Sequence, residues 1–125
     1  MRIIPTRVHG MIDYGFGVLL IIAPFLLGFA TGGAEQWVPT ILGIAIIGMS
    51  LMTDYELSLA RVIPMPMHLG IDVLGGVLLA ASPWLFGFSG RIYLPHLILG
   101  LVEIGTALMT VSRSGSESLV ERRAL

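Results

Sequence analysis

Two histidine–aspartate pairs are the residues in this chain whose types and spacing could support chemistry. Asp13 follows His9 by one helical turn, and Asp72 follows His68 in the same way. On a helix, this spacing places both side chains of a pair on one face. Imidazole and carboxylate groups are suitable ligands for zinc, iron or manganese, and two histidines can ligate haem iron from opposing helices. The same groups can also transfer protons.

The same four side chains also suit a structural network that needs no ligand. Each histidine can hydrogen-bond the aspartate of its own pair, and Arg7 or Arg61 can pair with a carboxylate. An aspartate in the first turns of a helix is further stabilised by the helix dipole. Metal-binding sequences such as His-Glu-x-x-His are absent, so no cofactor is predicted, with a metal ion or haem as the alternative. In each case the four side chains are expected to face the interior in one polar cluster.

Glu103 is the second candidate, because it lies near the middle of an apolar segment. A carboxylate at mid-bilayer costs about 2.5–3.5 kcal/mol on insertion scales, so its side chain is expected to face protein. It is interpreted either as a functional protonatable group or as a protonated structural group bonded to Thr106, Ser50 or a backbone carbonyl. His96, nearer the end of the same segment, is expected at the membrane interface.

Composition places these residues in a membrane protein. Apolar residues make up 55% of the 125 residues and charged residues 12%, whereas a soluble domain carries about 25% charged residues. A helix needs about 20 mainly apolar residues to cross the hydrocarbon core, and four segments qualify, give or take a few residues at each end. They are Val8–Phe29, Val38–Tyr55, Met67–Phe88 and Tyr93–Val111. The predicted fold is all-α, a four-helix transmembrane bundle in a single membrane domain of residues 1–125, in which 112–125 form a polar cytoplasmic tail.

The arginines predict how the bundle is oriented. Six of the seven fall on one side of the four-span topology, and Arg91 falls on the other. By the positive-inside rule, both termini of this multi-pass protein are cytoplasmic. Trp37, Trp84, Tyr93 and Tyr55 are expected at the two membrane interfaces. The net charge of −1 offers no overall basic field for nucleic acid.

No reaction motif accompanies these features. The chain has no cysteine, which excludes disulfides, thiolate ligands and cysteine nucleophiles. Serine, threonine and aspartate residues are too scattered for a catalytic triad. The glycine-rich stretches lie inside apolar segments, where glycine indicates close helix packing rather than phosphate binding. The sequence therefore favours a non-enzymatic role.

The chain also resembles itself. When Arg2–Phe29 is aligned with Arg61–Phe88, half of the positions are identical, and the histidines, aspartates and interior prolines coincide. Ile41–Thr53 aligns with Ile98–Thr110 in the same way. Apolar composition alone does not keep polar residues in register, so a duplication is the simpler explanation.

Each copy contains two of the predicted spans, so both copies enter the membrane from the same side. Repeat one covers about residues 2–55 and repeat two about residues 61–111. We expect tandem parallel units related by an axis along the membrane normal. Glu103 breaks the correspondence, because Ile46 occupies its position in repeat one.

A tripeptide near the end of the third segment links the chain to a known family. Ser82-Pro83-Trp84, in the first helix of a two-helix unit, resembles the motif of the SPW-repeat family of small bacterial membrane proteins, whereas the first copy departs from it with Ala23-Pro24-Phe25. The resemblance extends to about Arg113. It implies this fold and a bacterial inner-membrane location, and it implies no reaction. Physically, the motif is interpreted as a proline-kinked helix end with an aromatic anchor, in which Ser82 can satisfy a carbonyl that proline frees.

These observations favour a non-enzymatic structural, assembly or stress-related membrane module. One alternative is a conductor of protons, ions or small solutes that uses the histidines, the aspartates and Glu103. A second alternative is a redox protein that binds a metal ion or haem. The expected partners are the lipid bilayer and either a second copy of the chain or another membrane protein.

Overall fold

The computed structural model describes residues 2–111 as four helices without a named strand. Helix α1 is Thr6–Leu26, α2 is Ala34–Leu51, α3 is Met65–Leu85 and α4 is Leu94–Met109. The prediction of an all-α four-helix bundle is confirmed. The predicted tail at 112–125 lies outside the described residues, together with three of the arginines used for the topology, Arg113, Arg122 and Arg123.

The outer surface of the bundle is apolar, as expected for a protein solvated by lipid. Large side chains such as Leu74 and Ile41 are 70% and 60% exposed. Helices α1, α2 and α3 are long and apolar enough to cross a membrane. Helix α4 is also apolar but has 16 residues, which corresponds to about 24 Å at 1.5 Å per residue. The chain is therefore a small helical membrane protein.

The predicted helix ends were too late by a few residues, for a local reason. Helices α1 and α3 begin directly after Pro5 and Pro64, whose extended backbones start the first turn. Two residues beyond each helix lies a glycine in the left-handed region, Gly28 with φ 78° and Gly87 with φ 73°. Beyond Gly28, the N–H of the next residue donates to the carbonyl of Pro24 at 2.8 Å. This is the hydrogen bond of a Schellman cap, which ends a helix before the apolar run does.

Glycines bring the two helices of each unit into close contact. A Cβ on Gly43 in α2 would lie 2.5 Å from the carbonyl oxygen of Gly17 in α1. A Cβ on Gly100 in α4 would lie 2.6 Å from the carbonyl oxygen of Gly76 in α3. The two contacts occupy matching sequence positions, so α1 packs on α2 as α3 packs on α4.

The two units are joined at one end of the bundle, here called the proximal end, which contains residues 2–5, 52–64 and 110–111. Two isolated parallel bridges lie there, between Ile4 and Thr110 and between Thr53 and Ile63. The N–H of Ile4 donates to the residue before Thr110 at 2.9 Å, and the N–H of Ile63 donates to the residue before Thr53 at 2.8 Å. The two bridges correspond to each other by symmetry, because interchanging the two halves of the bundle converts one bridge into the other. The opposite end, with residues 27–33 and 86–93, is called the distal end.

Candidate functional site: an intramembrane His/Asp cluster

Helices α1 and α3 each bring one histidine and one aspartate to the middle of the bundle near its proximal end. His9, Asp13, His68 and Asp72, together called the His/Asp cluster, are at most 2% exposed. The one-turn spacing aims both side chains of each helix inward, and the stripes of α1 and α3 meet through these side chains at the centre of the bundle. One ligand atom from each of the four residues lies within 4.8 Å of the others.

The histidine Nε2 atoms each lie between the two carboxylates. His9 Nε2 is 3.0 Å from Oδ2 of Asp13 and 3.0 Å from Oδ2 of Asp72. His68 Nε2 is 2.7 Å from Oδ2 of Asp13 and 3.1 Å from Oδ2 of Asp72. Each histidine therefore contacts the aspartate of the other helix as well as its own, so the network joins α1 to α3.

Two threonines orient the imidazole rings from outside. His68 Nδ1 is 2.6 Å from Oγ1 of Thr53, whose hydroxyl donates to a carbonyl of α2 at 2.7 Å. His9 Nδ1 is 2.8 Å from Oγ1 of Thr110, whose hydroxyl donates to a carbonyl of α4 at 2.6 Å. A hydroxyl has one proton, and here the carbonyl accepts it. Each Nδ1 must then be the N–H donor to its threonine, which directs Nε2 toward the carboxylates.

This hydrogen bonding limits what can occupy the centre of the cluster. Two neutral imidazoles that present Nε2 lone pairs to two carboxylates carry a net charge of −2. Nitrogen–oxygen distances of 2.7–3.1 Å require a proton between the atoms, because two lone pairs repel. Two added protons neutralise the cluster, and a single divalent cation ligated by the same atoms does so equally. The arrangement therefore suits either a charge-assisted hydrogen-bond network or a divalent metal site.

The carboxylates have another neighbour, which differs from the one predicted. Ser50 donates to Oδ2 of Asp13 at 3.2 Å. The prediction that an arginine pairs with a cluster aspartate is wrong, since the arginine of the proximal loop, Arg61, lies 3.7 Å from Asp54 and Arg7 is exposed. Among residues 2–111, Oδ1 of Asp13 and Oδ1 of Asp72 have no hydrogen-bond partner.

Sequence reasoning missed the threonines and assigned Tyr55 to the wrong environment. Thr53 and Thr110 end the identical Leu-Met-Thr triplets of the two copies, and this repeated hydroxyl was the signal for a shared role. Tyr55 was expected at an interface but is 1% exposed, because the proximal loop folds its ring over the cluster, 6.3 Å from the ring of His68. Burial raises the pKa of Tyr55, so its hydroxyl keeps its proton.

Glu103 faces the interior, but the predicted hydrogen bonds are wrong. Its side chain is 2% exposed, and neither carboxyl oxygen has a partner within the described residues. Thr106 instead donates to the backbone of Val102, and Ser50 donates to Asp13. Glu103 lines a cavity of about 190 Å³ that Asp72 also lines. The carboxyl group is therefore held beside the cluster, across a space rather than against a partner.

His96 lies near the distal end of α4, where it was expected, but its side chain is buried in the protein. It is 1% exposed between the rings of Phe29 and Phe88, with centroid distances of 5.0 and 4.8 Å. Its Nε2 is 2.8 Å from the carbonyl oxygen of Glu35. The two phenylalanines fold inward from the distal loops, which the expectation of straight spans did not include. His96 is far along α4 from the cluster and does not join it.

The Ser-Pro-Trp tripeptide lies at the distal end of α3. Pro83 has no N–H for the carbonyl of Leu79, and Ser82 donates its hydroxyl to that carbonyl at 2.7 Å. Trp84 is 54% exposed, and its ring centroid is 5.7 Å from that of Tyr93. In α1, Phe25 is 67% exposed beside Pro24, and Ala23 has no hydroxyl to replace the missing donor. The motif thus stabilises a helix end and is remote from the cluster.

Comparison with known proteins agrees with this anatomy. The family model of the SPW repeat domain matches residues 7–110. This range includes all of the four helices except the first residue of α1, so the protein belongs to the SPW repeat family. A search of curated proteins and a search of solved structures found no match.

Proposed function

We propose that this protein is a non-enzymatic structural or assembly module of the bacterial inner membrane, built by internal duplication and locked by its His/Asp cluster. One observation supports the proposal above the others: the cluster ties all four helices together. His9 on α1 reaches Asp72 on α3 and Thr110 at the end of α4. His68 on α3 reaches Asp13 on α1 and Thr53 at the end of α2.

The test removes both imidazoles and measures stability. Breaking a buried ion pair costs about 3–5 kcal/mol, so His9→Ala with His68→Ala is expected to lower the midpoint of thermal unfolding strongly in detergent. His96→Ala is the matched control, because it removes a third buried histidine that lies outside the cluster. The proposal fails if the double variant is as stable as the control.

A divalent metal ion is a second candidate, which the cluster geometry favours specifically. Both Nε2 atoms and both Oδ2 atoms converge within 4.8 Å, and the threonines hold the tautomer that presents lone pairs at Nε2. Imidazole and carboxylate are ligands of zinc, manganese and iron. Elemental analysis and an absorption spectrum of the purified protein test this candidate and also the haem alternative. A stoichiometric metal or chromophore lost in the double histidine variant would replace the structural proposal with a binding function.

The packing is less favourable for a conductor. Leu20 and Leu79, which are at most 1% exposed, pack with Phe16 and Ile46 in an apolar layer between the cluster and the distal end. A proton or ion would have to cross this layer, where its desolvation is costly. Flux into liposomes that is abolished by Asp13→Asn with Asp72→Asn, while the fold survives, would overturn this view.

The orientation and the partner complete the proposal. The excess of arginines on one side supports cytoplasmic termini, and a reporter fused after Leu125 is expected to be active only in the cytoplasm. A periplasmic signal would reverse the topology. A second copy or another membrane protein would dock on the exposed apolar faces of the bundle, in competition with lipid.

A further inference from the structure

The cavity beside the cluster has apolar walls and two acidic side chains. Leu42 and Met49 from α2 and Ile71 from α3 form much of its apolar lining, while Asp72 and Glu103 supply carboxyl groups. An apolar pocket with a few convergent polar groups is the usual form of a small-molecule site. The lining residue Ile71 is itself 42% exposed on the apolar outer surface, so a membrane-soluble molecule can reach the pocket from the bilayer.

The pocket exists because the two halves differ at this level. Gly75 stands where repeat one has Phe16. A Cβ on Gly75 would meet only Cδ2 of Leu42 across the helix interface, at 3.9 Å, so the missing side chain leaves room. Glu103 stands where repeat one has Ile46. Neither residue is therefore required by the fold of a two-helix unit.

The polar atoms of the pocket have unfilled hydrogen bonds. Oε1 and Oε2 of Glu103 and Oδ1 of Asp72 are buried, and none has a partner within residues 2–111. Each is a carboxyl oxygen, so an ionised Glu103 gives three acceptors without a donor. A buried polar group left unsatisfied costs about 1–3 kcal/mol. A ligand that brings donors and positive charge removes this cost.

We propose that the cavity binds a lipophilic primary amine as its ammonium ion. The –NH3+ group lies between Glu103 and Asp72, and the alkyl or arylalkyl body lies against the apolar wall. An ammonium has three N–H donors, which equals the number of unfilled acceptors. Because an apolar cavity of about 150 Å³ accommodates benzene, the cavity of about 190 Å³ suits a body of about six to eight carbons.

Other ligand classes fit this pocket less well. A fatty acyl chain fills the apolar part but leaves all three oxygens unpaired. An alcohol brings one donor for three acceptors, and a carboxylate adds a charge of the wrong sign. A divalent metal ion needs four or more ligand atoms, whereas most of this lining is hydrocarbon. Asp72 belongs to both sites: its Oδ2 contacts the histidines of the cluster, whereas its Oδ1 is the acceptor that the amine would use.

The test titrates three probes of matched size into the purified protein in nanodiscs. Hexylamine, hexanol and hexanoate share an alkyl chain and differ in charge. We expect hexylamine to bind saturably with one site per chain, at least tenfold more tightly than hexanol, and hexanoate not to bind. Isothermal titration and the ligand-induced shift in the unfolding midpoint measure both quantities. Equal effects of amine and alcohol would mean that the carboxyl groups do not select a cation, and would overturn the proposal.

Substitutions of two lining residues locate the site. Glu103→Gln keeps the side-chain volume and is expected to weaken hexylamine binding at least tenfold, while Gly75→Phe fills the cavity and abolishes binding. Glu35→Gln is the control, because it neutralises a buried carboxylate at the distal end, beside Arg91, and leaves amine binding unchanged. Unchanged binding in Glu103→Gln would overturn the proposal even if Gly75→Phe fails to fold.

Discussion

At the proximal end, each histidine contact in one half of the bundle has a counterpart at the matching position of the other half, whereas beside the cavity the two halves differ. Each histidine has a threonine at Nδ1 and the two aspartates at Nε2, with matching distances in the two halves. Beside the cavity, matching positions of the two halves hold different residues. Phe16 in the first half corresponds to Gly75 in the second, and Ile46 corresponds to Glu103. The matched contacts join helices to each other. The unmatched residues border a space.

This difference separates what the fold requires from what it tolerates. A contact that joins the two halves depends on one residue from each half. A substitution in one half therefore requires a compensating substitution in the other. Residues at the cavity have no such constraint. Glu103 is a buried acid without a partner among the described residues, and the matching position holds isoleucine. Such a residue lowers the stability of the fold, which is typical of a functional position.

The comparison predicts its largest effect at the aspartates. Asp13→Ala and Asp72→Ala each remove one of the two carboxylates that both imidazoles contact, and each is expected to cost about 3–5 kcal/mol. Asp13→Ala should cost slightly more, because Ser50 donates to Asp13 and Ala107 occupies the matching position in repeat two. Thermal unfolding followed by helical circular dichroism measures both. A large loss in one variant with little in the other would mean that the halves do not share the cluster equally.

The glycine contacts should also respond in pairs, with a smaller effect. Gly17→Ala and Gly76→Ala place a methyl group 2.6 and 2.7 Å from an isoleucine side chain of the neighbouring helix, and such overpacking costs about 1–3 kcal/mol. Gly48→Ala is the control, because nothing lies within 4 Å of its added Cβ. Its expected effect is neutral or a gain of up to about 1 kcal/mol from helix propensity. Equal losses at all three sites would contradict the packing described here.

The opposite sign is expected at Glu103. Replacing it with the isoleucine of repeat one removes a buried carboxyl group without partners, so Glu103→Ile should stabilise the protein by about 1–2 kcal/mol in the absence of amine. The reverse change, Ile46→Glu, should destabilise it by a similar amount. Unfolding midpoints in the same detergent measure both. A destabilised Glu103→Ile variant would show that the carboxyl group has a structural partner.

The smallest effect is expected at the tripeptide. Ser82→Ala removes the donor that serves the carbonyl of Leu79, and a hydrogen bond of this kind contributes about 0.5–1.5 kcal/mol. Ala23→Ser should give part of that amount to α1, next to Pro24. Paired measurements of the two variants test whether the difference between the motifs is energetic. No change in either variant would leave the serine without a measurable role in stability.

The fold followed from the sequence because its signals are periodic and repeated. Long apolar segments predicted the helices, and coincident histidines and aspartates predicted which faces meet. The cavity beside Glu103 and the position of Tyr55 were not predictable, since they depend on how α2 approaches α3 and on the path of the proximal loop. Helix ends were misplaced because an apolar run continues past Gly28, whereas the backbone hydrogen bonds do not.

The two bridges at the proximal end place the start of α1 beside the end of α4, just as they place the start of α3 beside the end of α2. The N–H of Val111 donates to the carbonyl of Ile4 at 2.9 Å, and Arg2 donates to the carbonyl of Thr110 at 2.8 Å. The first and last described residues therefore lie side by side. Their arrangement is the one that the 52–64 loop gives to the end of α2 and the start of α3. A permuted gene that joins residue 111 to residue 2 and opens that loop should encode the same bundle. The contacts between the helices depend on which helices are neighbours in space, and the permutation does not change those neighbours.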